Sequence, residues 1–167
     1  MFKVNDVVVH KRDICKITGI IKDFKINEDY YTLVPIGESS LIIHTPVSNK
    51  FGLIRNVISC NDAELFIKEM VNIEAADVSN KIPEKEYEVM INSGKIENLV
   101  RVIKATDISK EEKISSGKKV GLNDKKYLIL AEKLLYAELS VAFNKPYQET
   151  KDYVTKIVMA CTNNQLD

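Results

Sequence analysis

Apolar positions along this chain follow two different periods, and the change falls near residue 60. Before it, β-branched and aromatic residues come in short runs. Residues 2–10 (FKVNDVVVH) read as one strand. Residues 14–21 (ICKITGII), 30–34 (YYTLV) and 41–44 (LIIH) read as three more, and 53–58 (LIRNVI) as a fifth. Asn27, Glu28 and Asp29 form one polar break, and PIGESS at 35–40 forms another. Short strands at about 8–12-residue spacing, separated by turn residues, predict a small antiparallel sheet or barrel. About 58 residues suffice for a Tudor- or SH3-like β-barrel with a modest core.

Past residue 60 the period becomes helical. Asn61 is an expected N-cap, with Glu64 placed to bond back to it. Leu65, Phe66, Met70 and Ile73 follow at helical spacing. Residues 75–81 (AADVSNK) are small and polar and read as a linker. Pro83 suits the first turn of a new helix, where its missing N–H would be unpaired anyway. Tyr87, Met90 and Ile91 give that helix an apolar edge, and Ser93-Gly94 ends it. A third helix is expected over 95–110, with Ile96, Leu99, Val100, Ile103 and Ile108 inward. SSGKKVG at 115–121 reads as a loop. Asn123 is the expected cap of a long helix reaching about residue 144, with Leu128, Ala131, Leu134, Leu135, Leu139 and Ala142 on a wide apolar stripe. Lys145-Pro146 opens a last helix, with Tyr153, Ile157 and Met159 or Ala160 inward, before a polar tail. The expected fold class is α+β in two domains: a Tudor/SH3-like antiparallel β-barrel over 1–60, a helix and linker over 61–80, and an all-α domain over 81–167.

Composition narrows the function classes. The chain has 167 residues, 45% apolar and 29% charged, which is ordinary for a soluble globular protein. No apolar run approaches the roughly 18 residues of a membrane span. The N-terminus lacks the basic start and long apolar stretch of a secretory signal. A cytoplasmic location with no membrane partner is expected. Lys and Arg balance Asp and Glu at a net charge of 0, which argues against a surface that grips nucleic acid over its whole extent. The three cysteines, Cys15, Cys60 and Cys161, form no CxxC, so neither a zinc site nor a disulfide framework is expected.

Enzyme chemistry is not indicated. Neither phosphate-loop pattern occurs, Gly117-Lys118-Lys119 lacking both the earlier glycine and the Ser/Thr. H-E-x-x-H and G-x-S-x-G are also absent. His10 and His44 read as surface or strand-edge residues rather than metal ligands. Glu84, Glu86 and Glu88 alternate at i, i+2, a spacing that turns neighbours on a helix away from each other. No metal and no cofactor are expected. A basic cluster remains. Lys118, Lys119, Lys125 and Lys126, beside Lys110 and Lys113, flank the start of the long helix, and a helix N-terminus with lysines can hold phosphate. Glu111 and Glu112 dilute it.

Three segments taken in order resemble the CarD family of bacterial RNA polymerase-binding transcription regulators. FKVNDVVVH resembles that family's opening strand. Leu41-Ile42-Ile43-His44-Thr45-Pro46-Val47 is similar to its strand ending in a basic residue, any residue, then proline, and Gly52-Leu53-Ile54-Arg55-Asn56-Val57-Ile58 to the segment that follows. AEKLLYAELSVA at 131–142 looks like its long helix, and YEVMINSG with KIENLVRVIK at 87–104 like its preceding helix pair. The resemblance implies a barrel that binds the RNA polymerase β subunit by strand addition, and a helical domain that contacts promoter DNA at the upstream edge of the transcription bubble. It thereby implies a monomeric transcription-initiation factor that stabilises the open complex. The transcription-repair coupling factor shares the barrel but needs motor domains far longer than this chain.

Carried onto this sequence, the polymerase contacts fall on Lys22, Ile42, Ile43, His44 and Pro46. The DNA contacts fall on Ile82 and Lys85, joined by Lys118, Lys119, Lys125 and Lys126. The departures are specific. A histidine at 44 stands where the family has an arginine and lacks its fixed charge and fork. The glycine after the first strand is replaced by the KRDI stretch at 11–14. The tryptophan wedge of the second domain is missing, since the chain has no tryptophan, and Ile82 or Pro83 takes that place. Glu86 and Glu88 replace basic neighbours, and carboxylates beside phosphates repel. An alternative reading is therefore a polymerase- or protein-binding module with little or no DNA binding.

Overall fold

The structure, a computed structural model, describes residues 1–25, 27–77, 84–119 and 121–163. It is α+β, with a five-stranded antiparallel sheet followed by helices. The chain divides into two compact units, Met1–Val57 and Ile58–Asp167.

The first unit holds β1 (Val7–His10), β2 (Asp13–Lys25), β3 (Glu28–Pro35), β4 (Ile43–Pro46) and β5 (Ile54–Asn56), in the order β4-β3-β2-β1-β5. The long β2–β3 hairpin is the frame. Its alternating residues turn Cys15, Ile17, Tyr31 and Leu33 to one face, where they join Val8 and Ile54 in a dry core. The expected closed barrel is not formed: β4 and β5 stand at opposite edges of an open sheet. Both are short, four and three residues, and neither reaches round to the other.

The first strand is also shorter than the alternation at 2–10 predicts. Asn5 adopts a left-handed φ of 77° and breaks the extended chain. Lys3 N–H donates to the Asp6 carboxylate at 2.7 Å, closing a turn. Phe2 is nevertheless held: its N–H donates to the Tyr31 hydroxyl at 3.0 Å, and its ring meets the Tyr31 ring edge-on at 6.2 Å. The β1–β2 turn has Lys11 at its first loop position with φ 55°, a conformation that glycine adopts without steric cost.

His10, expected at the surface or a strand edge, is 7% exposed because β1 lies between β2 and β5. Burial pushes its pKa down, helped by Lys11 and opposed by Asp13. Burial also raises the Cys15 thiol to about 11, so it is a packed apolar group rather than a nucleophile.

The second unit contains α1 (Cys60–Glu69), a 3-10 turn at Met70–Asn72, α2 (Glu84–Asn92), α3 (Ile96–Ser115), α4 (Leu122–Phe143) and α5 (Tyr147–Asn163). Ala63, Ile67, Tyr87, Ile91, Val102, Ala105, Tyr127, Ala131, Leu139 and Val154 are buried in its core. Ser59, not Asn61, caps α1, its hydroxyl accepting from Asp62 N–H at 3.1 Å. Gly121, not Asn123, precedes α4. Helix α3 runs past the expected end at 110. Leu65 and Ile108, expected inward, are exposed, and so are both Met159 and Ala160, the alternatives for the last helix. Two buried polar contacts close the loops. Glu138, 2% exposed, accepts Ile58 N–H at 3.1 Å. Lys104 Nζ donates to Val71 O at 3.0 Å and Ile73 O at 2.6 Å, closing the end of the 3-10 turn.

Two outcomes follow from the sheet. Lys11→Gly relieves a left-handed side-chain residue and should raise stability, by up to about 1–2 kcal/mol, in urea titrations. His10 has a folded pKa below its unfolded value of about 6.5, so the unfolded chain binds more protons in that range. Its contribution is complete above the unfolded value and is lost as pH falls from there toward the folded value. His10→Gln should flatten that part of a stability–pH profile.

Candidate functional site

The sheet has two edges, and they differ in what they offer. On β4, Val47 N–H donates to Asp29 O at 2.9 Å, which marks Asp29 and Val47 as a hydrogen-bonded pair. Such pairs alternate along an antiparallel ladder. Ile43 and Thr45 therefore turn their backbone groups toward β3, and those of His44 and Pro46 face away. Pro46 has no N–H to present, a frequent device on edges. The outer side of β4 thus offers one complete donor–acceptor pair, at His44, since the Pro46 carbonyl already accepts Asn49 N–H at 3.2 Å.

The β5 edge is closed by its own side chains. Lys11 N–H donates to Leu53 O at 2.8 Å, so Arg55 faces β1 while Ile54 and Asn56 face outward. The Asn49 amide covers Ile54, donating Nδ2–H to its carbonyl at 2.7 Å and accepting its N–H at 3.0 Å. Arg55 Nη1 donates to Asn56 O at 3.0 Å. Both outward backbone groups of His44 are thus open on β4, whereas on β5 the Ile54 pair and the Asn56 carbonyl are already engaged.

An aromatic cluster sits beside the β4 edge. The Phe24 ring lies 4.9 Å from the His44 ring and 5.2 Å from that of Tyr30, joining three strands. Phe24 is 39% exposed and Ile42 58%, so apolar surface flanks the open backbone groups. Lys25 Nζ lies 5.7 Å from the Phe24 ring centroid.

The expected polymerase-facing residues divide accordingly. His44 presents both its outward backbone groups and a ring in the aromatic cluster. Pro46 lies on the same strand. Ile43 packs against the sheet core, opposite Leu33, so it anchors β4 rather than facing a partner. Ile42 is not on the strand; it precedes β4, because pairing with β3 begins at Ile43. Lys22 is exposed on β2 and donates to Asp29 Oδ2 at 2.7 Å. That hydrogen bond raises the lysine pKa and lowers that of Asp29. Lys22 therefore presents a paired charge.

The expected DNA-facing residues lie in the helical unit. Lys85 is exposed on α2 beside exposed Glu86, while Glu88 accepts the Tyr127 hydroxyl at 3.3 Å. Lys118 and Lys119 are exposed just after α3, and Lys125 and Lys126 on the first turns of α4. Lys118 N–H donates to Lys113 O at 2.7 Å, and Lys126 Nζ lies 5.1 Å from the Tyr127 ring centroid. Ile82 and Pro83 fall outside the described residues. Among the described residues, no His, Cys, Asp and Glu cluster is placed to hold a metal ion, and no helix is long and apolar enough to cross a membrane.

Phe24, Tyr30 and Asn49 carry no signal along the sequence. Phe24 and Tyr30 flank a turn whose register sets their contact, and Asn49 acts only once β5 lies beside it. No family model and no curated protein matches the chain.

A paired substitution tests the edge register. Thr45→Pro removes a ladder N–H and should lower the melting temperature sharply. His44→Pro removes an outward N–H and should lower it much less. Equal losses would contradict the alternation.

Proposed function

We propose that this protein is a cytoplasmic transcription-initiation factor of the CarD type. Its N-terminal sheet, a Tudor-like module with unjoined edges, binds the RNA polymerase β subunit, and its helical unit contacts promoter DNA upstream of the bubble and stabilises the open complex. One observation carries the polymerase half: on the β4 edge His44 turns both backbone groups outward, flanked by Phe24, Tyr30 and its own ring. Strand addition draws affinity from backbone hydrogen bonds and specificity from flanking side chains. It is therefore compatible with a histidine in place of an arginine. The DNA half rests on Lys118, Lys119, Lys125 and Lys126, all exposed around one helix start.

A second reading is a polymerase- or protein-binding module with little DNA contact. It is favoured by exposed Glu86 on α2 next to Lys85, and by the absence of tryptophan.

Co-elution with RNA polymerase and open-complex lifetime test the first reading together. Phe24→Ala and Lys22→Glu should each weaken polymerase binding without unfolding the sheet. Unchanged binding in both would mean that another surface docks. Replacing Lys118, Lys119, Lys125 and Lys126 together should lower DNA affinity, and should flatten its salt slope by about 0.9 for each phosphate that is no longer neutralised. A DNA titration of the native protein that is flat and insensitive to salt would select the second reading.

A further inference from the structure

An open groove of about 530 Å³ lies on the helical unit, lined by Tyr87, Lys113, Leu122, Asn123, Asp124 and Tyr127, with Gly121 at its rim. Its size lies within the range of small-ligand sites. Three features give it a chemistry.

The first is an uncapped helix start. Helix α4 runs 22 residues, and its N-cap, Gly121, supplies no side-chain hydrogen bond. The first backbone bond of the helix is Lys125 N–H to Gly121 O, at 3.3 Å. The N–H groups of Leu122, Asn123 and Asp124 precede that bond and so have no acceptor within the helix. The second is a donor set aside. Tyr87 is 6% exposed and lines the groove, yet its hydroxyl has no hydrogen-bond partner among the described residues. The ring is buried while the hydroxyl oxygen stays accessible at the groove. The third is charge. Among the described lining residues the carboxylate is that of Asp124, and Lys113 and Ser109 both donate to it. The Lys113–Asp124 pair lies against Gly121: a Cβ there would meet Asp124 Oδ2 at 3.4 Å and Lys113 Nζ at 3.5 Å. With the carboxylate neutralised by Lys113, the partial positive charge of the helix start is left facing the groove.

We propose that this groove binds a small phosphate monoester, its phosphate on the first turn of α4 and the Tyr87 hydroxyl, its organic part along Leu122 and the Tyr87 ring. Backbone N–H groups at a helix start hold phosphate without sequence-specific side chains. The proposal is independent of polymerase binding and of duplex contact by the surface lysines.

Amide spectra of the full chain, titrated with inorganic phosphate, with phenyl phosphate and with a short DNA duplex, test it. Phenyl phosphate should shift Leu122, Asn123 and Asp124 saturably, and more tightly than inorganic phosphate. Gly121→Ser supplies an internal cap for the same N–H groups and should weaken phenyl phosphate binding about tenfold or more, at unchanged or higher thermal stability. Tyr87→Phe keeps the packing, removes the donor and should weaken binding about threefold to tenfold. Absence of shifts with phenyl phosphate, or full affinity in both variants, would overturn the proposal. Shifts with duplex alone would assign these amides to DNA and overturn it too.

Discussion

The alternation of hydrogen bonds across β3 and β4 is the constraint on which the candidate interface depends. One bond, from Val47 N–H to Asp29 O, sets which residues of a four-residue strand face inward. With that phase His44 faces out with both backbone groups, and the outward Pro46 carbonyl is taken by Asn49 N–H. Shifted by one residue, Thr45 would face out and His44 would be spent on the ladder. The same phase puts Thr45 in the buried layer and the His44 ring against Phe24. Backbone availability and side-chain surroundings are thus one fact and not two.

Such an edge invites unwanted pairing, and the chain limits it. β4 is short and carries a proline facing outward. On β5 the Asn49 amide takes both groups of Ile54 and the Arg55 guanidinium takes the Asn56 carbonyl. The sheet stays open yet presents one small, directional set of backbone groups. An edge of this size binds weakly through hydrogen bonds alone. The exposed ring of Phe24 and the side chain of Ile42 supply the apolar area that a stable complex would bury.

The β2–β3 hairpin was readable from its alternation because one face is dry and the other is not. The N-terminal turn was not readable, because Val4 and Val7 look extended while Asn5 takes a left-handed conformation. The closed barrel failed for a related reason: apolar runs at 41–44 and 53–58 are longer than the strands they contain, and strand length decides closure. Helix positions were legible from their stripes, whereas two starts shifted, to Ser59 and Gly121, since several polar residues precede each. His44 and Pro46, singled out by the family resemblance, lie on β4. Phe24 and Tyr30 belong to a contact across strands that spacing along the chain does not reveal. Ile43 was placed on the right strand, yet its side chain serves the core.

The most direct measurement is amide hydrogen exchange, residue by residue, with and without a fragment of the polymerase β subunit. The account predicts that His44 exchanges fast in the free protein and is protected in the complex, while Thr45 is already slow in both. Protection confined to β5 or to the helices, with His44 unchanged, would contradict it.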